Sequence, residues 1–267
     1  MLIHLAIEKG INFFDTADLY NKGHNETMLG KALAARRNEV VISSKVGNQW
    51  RPDGSGWDWN PTKKHILSAV EQSLERLQTD YIDLYQLHGG TIDDPIDETI
   101  EAFELLVQQG KIRFYGLSSI RPNVIREFVK RSAVSSVLLQ YSIADRRPEE
   151  TILPLLQEHN IGVLGRGGLA QGLLVNKPAK QYLQHTEEAI AKVAKLINEL
   201  STPERSAAQT ALRFVLQQPA ITSTVVGIRN VEQLLDAVNA VSATRLTSTE
   251  IERVKNILPA GFNEAHR

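Results

Sequence analysis

Asp15, Tyr20, Lys45 and His88 bring a carboxylate, a phenol, an ammonium and an imidazole to the ends of three apolar runs, 11–14, 40–44 and 82–87. A tyrosine phenol titrates near ~10 and is a poor acid at neutral pH. A lysine ammonium within hydrogen-bonding reach favours the phenolate, and a buried carboxylate keeps that lysine charged and aimed. A histidine beside them can donate to the oxygen of an aldehyde or ketone and stabilise the alkoxide as charge develops there. Together the four read as a hydride-transfer site, with Tyr20 as the acid, Lys45 and Asp15 tuning it, and His88 orienting the substrate. Singly, each has a plainer explanation: Asp15 as a turn cap, Tyr20 as packing, Lys45 as a solvated strand end, His88 as a loop histidine. Their joint occurrence at successive strand exits favours chemistry, because polar groups at such exits are seldom there for packing.

The elements that must position them alternate. Strands are expected near 11–15, 40–44, 82–87, 114–118, 136–140, 162–165 and 222–226, and between them apolar residues recur at helical spacing, as at Ile66, Val70, Leu74, Leu77 and at Ile100, Phe103, Leu106, Val107. This order favours parallel strands joined by crossover helices. Asn60-Pro61-Thr62 reads as a helix start, and Gly10 and Gly110 as helix stops. Helices are also expected at 187–200, 203–218 and 247–258. The expected fold is a TIM-type (β/α)8 barrel forming a single domain over 1–267, with seven strands visible and extra C-terminal helices. The chain opens inside a helix, 2–9, that should follow a first strand. Either that strand was lost upstream or the barrel is open with its edges covered another way; the expectation is that the first strand is missing from this chain.

Composition narrows the class. At 267 residues, 42% of them hydrophobic, the chain suits one large α/β domain. A net charge of −1 without long blocks of one sign offers no footprint for nucleic acid or anionic lipid. With no cysteine there is no disulfide, thiolate metal site or cysteine nucleophile. The histidines are scattered without ligand spacing, so no metal site is expected. No membrane span or signal peptide is legible, and a soluble, cytoplasmic protein is expected.

Several stretches in combination resemble the aldo-keto reductases: GINFFDTA at 10–17 with Tyr20, ETMLGKAL at 26–33, SLERLQTDYIDL at 73–84, GKIR at 110–113, GLSS at 116–119 and Val226-Gly227. The resemblance covers nearly the whole chain, without the family's N-terminal hairpin and first strand, and QLHGG at 86–90 and SIRPN at 119–123 are similar to a bacterial branch of general substrate range. It implies an NADP(H)-dependent enzyme reducing aldehydes or ketones. Ser118 and Ser119 match the pair holding the nicotinamide carboxamide, with serine in place of the family's asparagine, and Gln140 matches a glutamine with the same task. Leu169, Ala170, Gly172 and Lys177 match the loop around the pyrophosphate. Gly227 ends the last matching stretch, Arg229 stands where a guanidinium can clamp the 2′-phosphate, and Gln233 and Asp236 face the adenosine end. Two residues depart from the family: Arg166, before Gly167-Gly168, replaces the tyrosine under the nicotinamide, and Ala237 replaces an asparagine that reads adenine. A cation under that ring favours the neutral, reduced form.

Rival readings are a nucleotide-sensing relative with little turnover, a fragment inactivated by its missing strand, and a barrel hydrolase pairing Asp15 with Asp83. The intact four-residue set opposes the first. The last lacks a second well-placed carboxylate, and Asp83, inside its strand, is expected to be structural. Trp50, Trp57 and Trp59 are expected either to wall a carbonyl pocket or to clasp their own loop; Arg36-Arg37 and Arg146-Arg147 are expected to be solvated surface. Neither the substrate nor the oligomeric state is readable.

Overall fold

The computed structural model describes residues 2–267. The chain divides into two compact units, Met1–Val137 with His266–Arg267, and Leu138–Ala265.

The first unit runs α1 (Leu2–Glu8), β1 (Phe13–Asp15), α2 (His24–Leu33), β2 (Val41–Val46), β3 (Asn48–Trp50), β4 (Trp57–Trp59), α3 (Lys63–Leu77), β5 (Ile82–Leu87), α4 (Ile96–Gln108), β6 (Ile112–Ser118) and α5 (Pro122–Arg131), then enters β7 (Ser136–Gln140). Here the sheet order is β1-β2-β5-β6, and these neighbours pair in parallel. The local signals act as expected: Gly10 and Gly110 adopt left-handed φ after α1 and α4, a conformation glycine reaches without a Cβ clash. Thr62 caps α3 by accepting from the His65 N–H.

β2, buried from Ile42 to Val46, stacks on its neighbours so that Asp15 lies opposite Ser43, and Lys45 opposite Gln86. Parallel register therefore brings the exits of β1, β2 and β5 together. Buried polar side chains inside this sheet find partners: the Ser43 hydroxyl donates to Gln86 Oε1 at 3.2 Å, and Gln86 Nε2 donates to the Leu117 carbonyl at 3.3 Å. Outside it, Glu26 of α2 is completely buried, accepting from Ser44 Oγ at 2.5 Å and from Arg76 Nε of α3 at 2.7 Å.

The second unit continues with α6 (Ile152–Glu158), β8 (Gly162–Arg166), α7 (Glu187–Leu200), α8 (Ala207–Leu216), β9 (Ile221–Val225), α9 (Val231–Asn239) and α10 (Ser248–Ile257). Its strand order is β7-β8-β9, and β8 and β9 are parallel. All seven strands expected from the sequence are present, with ends shifted by at most a few residues.

Three expectations need correction. The helix expected over 203–218 begins at Ala207, because Ser206 and Gln209 close a capping box there and Thr202 and Arg205 bridge a turn before it. The tryptophan segment is a β3/β4 antiparallel hairpin rather than a loop. Two arginine pairs are not simply solvated. Arg37 is held by Asp83 at 2.6 Å and by the Tyr81 carbonyl at 3.0 Å, while Arg146 is buried and donates to the Leu258 carbonyl at 3.0 Å beyond α10. Arg147 lies 2.7 Å from Asp145, and Arg36 alone of the four keeps a surface role, pairing with Glu39. For Arg37, Arg146 and Arg147 a buried carboxylate or the open carbonyls at a helix end attract the guanidinium. Among the described residues no helix is long and apolar enough to cross a membrane.

A Cβ on Gly30 of α2 would lie 2.5 Å from the Leu77 backbone at the end of α3. Gly30→Ala is therefore expected to destabilise the chain by about 1–3 kcal/mol, read as a lowered midpoint in urea unfolding.

Candidate active site

The four candidates meet at one end of the first unit's sheet. Lys45 is 1% exposed, and its ammonium donates to Asp15 Oδ2 at 2.6 Å and to the Thr16 carbonyl at 2.7 Å. A lysine this deep stays charged only with such partners, since desolvation alone favours the neutral amine. The same ammonium sits 5.1 Å from the centre of the Tyr20 ring. His88 meets Tyr20 edge-on, ring centres 5.7 Å apart at 83°. Tyr20 itself is 40% exposed, so one end of the cluster opens to water.

Backbone bonds fix this arrangement. The chain leaves β1 still hugging β2: Thr16 N–H donates to the Ser43 carbonyl at 2.9 Å and Asp18 N–H to the Lys45 carbonyl at 3.3 Å. His88 N–H in turn donates to the Val46 carbonyl at 2.8 Å. Beyond Tyr20, Asn21, Lys22 and Gly23 all carry positive φ, a strained run that reverses the chain into α2. Its Gly23 lies against Arg76, where a Cβ would approach to 2.7 Å.

The tryptophans separate into roles. Trp59 is a clasp: its indole N–H donates to Asp94 at 2.9 Å, and its ring fills the space where a Gly47 Cβ would come within 2.6 Å. Trp50 carries the Lys22 ammonium 5.0 Å from its ring, and Trp57 is 47% exposed. The hairpin is thereby tied to the segments bearing Tyr20 and His88. Sequence periodicity misses it because three-residue strands around a Gly- and Asp-rich turn leave too little alternation. Asp83 is structural, accepting from Arg37 at 2.6 Å and from the Ile42 N–H at 2.9 Å.

Of the residues matched to cofactor binding, Ser118 ends β6 in the first unit and Ser119 follows it, both buried, and Ser119 Oγ accepts from the Arg121 N–H at 3.3 Å. The others belong to the second unit. Gln140 and Arg166 end β7 and β8 and bond to each other, Arg166 Nη1 to Gln140 Oε1 at 2.8 Å. Gln140 Nε2 donates onward to Asp145 at 2.9 Å and to the Tyr182 hydroxyl at 3.1 Å. Asp145 and Tyr182 escaped the sequence reading, since neither stands in a motif. After β8, Leu169 leads into a tight turn in which Ala170, Gln171 and Gly172 all have positive φ, and a Cβ on Gly172 would lie 3.3 Å from the exposed Lys177 side chain. After β9, Gly227 has open space where a Cβ would be, and Arg229 is exposed just before α9, which Asn230 caps. Gln233 Oε1 accepts from the Arg229 N–H at 2.9 Å. Asp236 is engaged inside the unit, accepting from Ser206 Oγ at 2.7 Å and Gln209 Nε2 at 2.8 Å.

This donor set suits an anionic dinucleotide. Lys177 and Arg229 are exposed cations, the second at a helix N-terminus, and near Arg229 the open space at Gly227 leaves backbone accessible.

The chain belongs to the Aldo/keto reductase family, whose match spans residues 1–259. It is 48% identical over 271 residues to "Uncharacterized oxidoreductase YqkF" of Bacillus subtilis (strain 168), covering 98% of this chain and 88% of that one. Among solved structures, aldo-keto reductase AKR11C1 from Bacillus halodurans in its holo form superposes with a TM-score of 0.93 at 48% identity, over 100% of this chain and 89% of that one. An aldo/keto reductase from Klebsiella pneumoniae in complex with NADP and acetate superposes with a TM-score of 0.81 at 28% identity, over 99% and 86% of the two chains. The fold is accordingly of the TIM-type (β/α)8 class, and the family is one of oxidoreductases.

Removing one partner of a buried ion pair costs about 3–5 kcal/mol, because the other charge is left uncompensated. Asp15→Ala is expected to lower stability by that order, measured by denaturant unfolding; Lys45→Met strands the Asp15 carboxylate instead and is expected to cost less only because Asp15, with 10% of its side chain exposed against 1% for Lys45, is the less buried partner.

Proposed function

We propose that this chain is an NADPH-dependent reductase of aldehydes and ketones, working at Asp15, Tyr20, Lys45 and His88. The observation that carries the reading is the buried Lys45 ammonium, bonded to Asp15 at 2.6 Å and standing 5.1 Å from the Tyr20 ring centre. NADPH, when bound, supplies the hydride to the carbonyl carbon. As the C=O π pair moves onto oxygen, the Tyr20 hydroxyl gives its proton to that oxygen, and the resulting phenolate is stabilised by Lys45. Asp15 keeps the lysine charged and aimed. His88 donates to the carbonyl oxygen and orients it. Exposure of Tyr20 lets water return the proton.

Ser118, Ser119 and Gln140 are proposed to recognise the carboxamide, Leu169, Ala170, Gly172 and Lys177 the pyrophosphate, and Gly227, Arg229 and Gln233 the 2′-phosphate and adenosine end. The internal bonds of Asp236 support a role in holding α9 for that task. NADP-bound relatives support the choice of cofactor.

Tyr20→Phe is expected to reduce turnover at least a hundredfold with NADPH affinity nearly unchanged, followed by NADPH absorbance across a panel of carbonyls and by fluorescence titration; loss of NADPH binding would reassign Tyr20. Arg166, held by Gln140, is proposed to lie against the nicotinamide and favour its neutral form. Arg166→Tyr is expected to narrow the ratio of NADPH to NADP⁺ affinity, and an unchanged ratio would remove that role.

A further inference from the structure

Asp18 is a half-buried titratable group that the proposed chemistry leaves unused. It sits midway between Asp15 and Tyr20 on the segment leaving β1, and its N–H donates to the carbonyl of Lys45 at 3.3 Å. The Asp18 Oδ1 atom is buried and accepts no hydrogen bond. Charges on three neighbouring elements act on it, Glu26 of α2, Arg76 of α3 and Lys45 of β2, and Asp18 in turn acts on the fully buried Tyr85 of β5. Glu26 cannot move away, being fixed by Ser44 Oγ at 2.5 Å and Arg76 Nε at 2.7 Å.

We propose that Asp18 is a positioning residue for the Tyr20–Lys45 pair, its carboxyl completing the charge set behind the lysine and switching that set between two states as it loses or regains a proton. Arg76 is committed to Glu26, and Lys45 to Asp15. A second negative charge at Asp18 therefore has no cation of its own. It competes with Asp15 for the lysine and opposes phenolate formation at Tyr20. Burial first, then the Glu26 carboxylate, push the Asp18 carboxyl up to about 8; the Leu19 N–H, Arg76 and Lys45 oppose this only partly. At neutral pH the neutral acid adds no second negative charge beside the Lys45–Asp15 pair, so the lysine acts on Tyr20 undiminished. Above that range the ionised form holds the phenol protonated, favouring carbonyl reduction over alcohol oxidation.

The activity arm of this inference rests on the reductase reading; the stability arm does not. Between 3.8 and about 8 the folded chain binds the Asp18 proton and the unfolded chain does not, so stability from this group is full at low pH and falls until about pH 8. Asp18→Asn keeps the shape and removes the titration. The expected result is a melting midpoint for D18N that gains on the wild type as pH rises to about 8 and then holds a constant lead. In alcohol oxidation with NADP⁺, the D18N to wild-type rate ratio is expected to rise about tenfold between roughly pH 7 and 9, one unit of displaced titration. A flat rate ratio overturns the positioning role even where the thermal gap widens, and a pH-independent thermal gap overturns the switch itself. Absence of wild-type turnover on every carbonyl defeats the reductase reading and the positioning role together, while the thermal gap still reports whether Asp18 titrates. Should D18N not fold, a carboxyl ¹³C NMR titration of the wild-type chain decides: an Asp18 resonance moving near pH 8 supports the switch, and one that has finished moving by about pH 6 overturns it.

Discussion

Burying an ammonium is the constraint around which the first unit is built. Lys45 is 1% exposed, and a charge so placed is tolerable only if a carboxylate and a carbonyl reach it from a neighbouring strand. Asp15 and Thr16 do so only when β1 and β2 run parallel in the observed register, with Asp15 opposite Ser43. A one-residue slip would turn Lys45 to the other face of the sheet and leave both charges unpaired. The ion pair thus specifies the strand alignment that brings Tyr20 and His88 alongside.

A second layer of charge supports the first. Glu26, completely buried between α2 and α3, ties Ser44 to Arg76, and Asp83 ties β5 to Arg37 and to the Ile42 N–H. Each carboxylate has a guanidinium beside it and hydrogen-bond donors on its remaining lone pairs, the condition under which buried charge is tolerated. Asp18, like Asp15, has a buried oxygen that accepts nothing, and burial together with the Glu26 carboxylate raises its carboxyl pKa.

The second unit solves a different problem. Its turns after β8 and β9 present exposed cations, while the ends of β7 and β8 are joined through one amide, Gln140, to a guanidinium, a carboxylate and a phenol. The chain Arg166–Gln140–Tyr182, with Asp145 accepting from Gln140, fixes a guanidinium by hydrogen bonding. Fixing it there limits the rotamer freedom of the guanidinium. In the first unit Asp15 and Lys45 lie on strands, and Tyr20 and His88 on the segments that leave them, so the paired strands fix the ion pair while the segments beyond carry the rings.

Much of this was legible in the sequence because it depends on neighbours along the chain. Apolar runs ending in Asp15, Lys45 and His88 mark strand exits, Thr62 and Gly110 mark helix ends, and motifs such as GINFFDTA carry the family resemblance. Short-range steric and hydrogen-bonding preferences suffice for these. What tertiary structure decided is who meets whom across long separations: that Arg37 and Arg146 turn inward, that Trp59 clasps Asp94, that Asp18 faces Glu26 and Arg76. No spacing rule encodes such encounters, because burial, and with it the free energy of a charge, depends on the dielectric surroundings that only the folded chain creates.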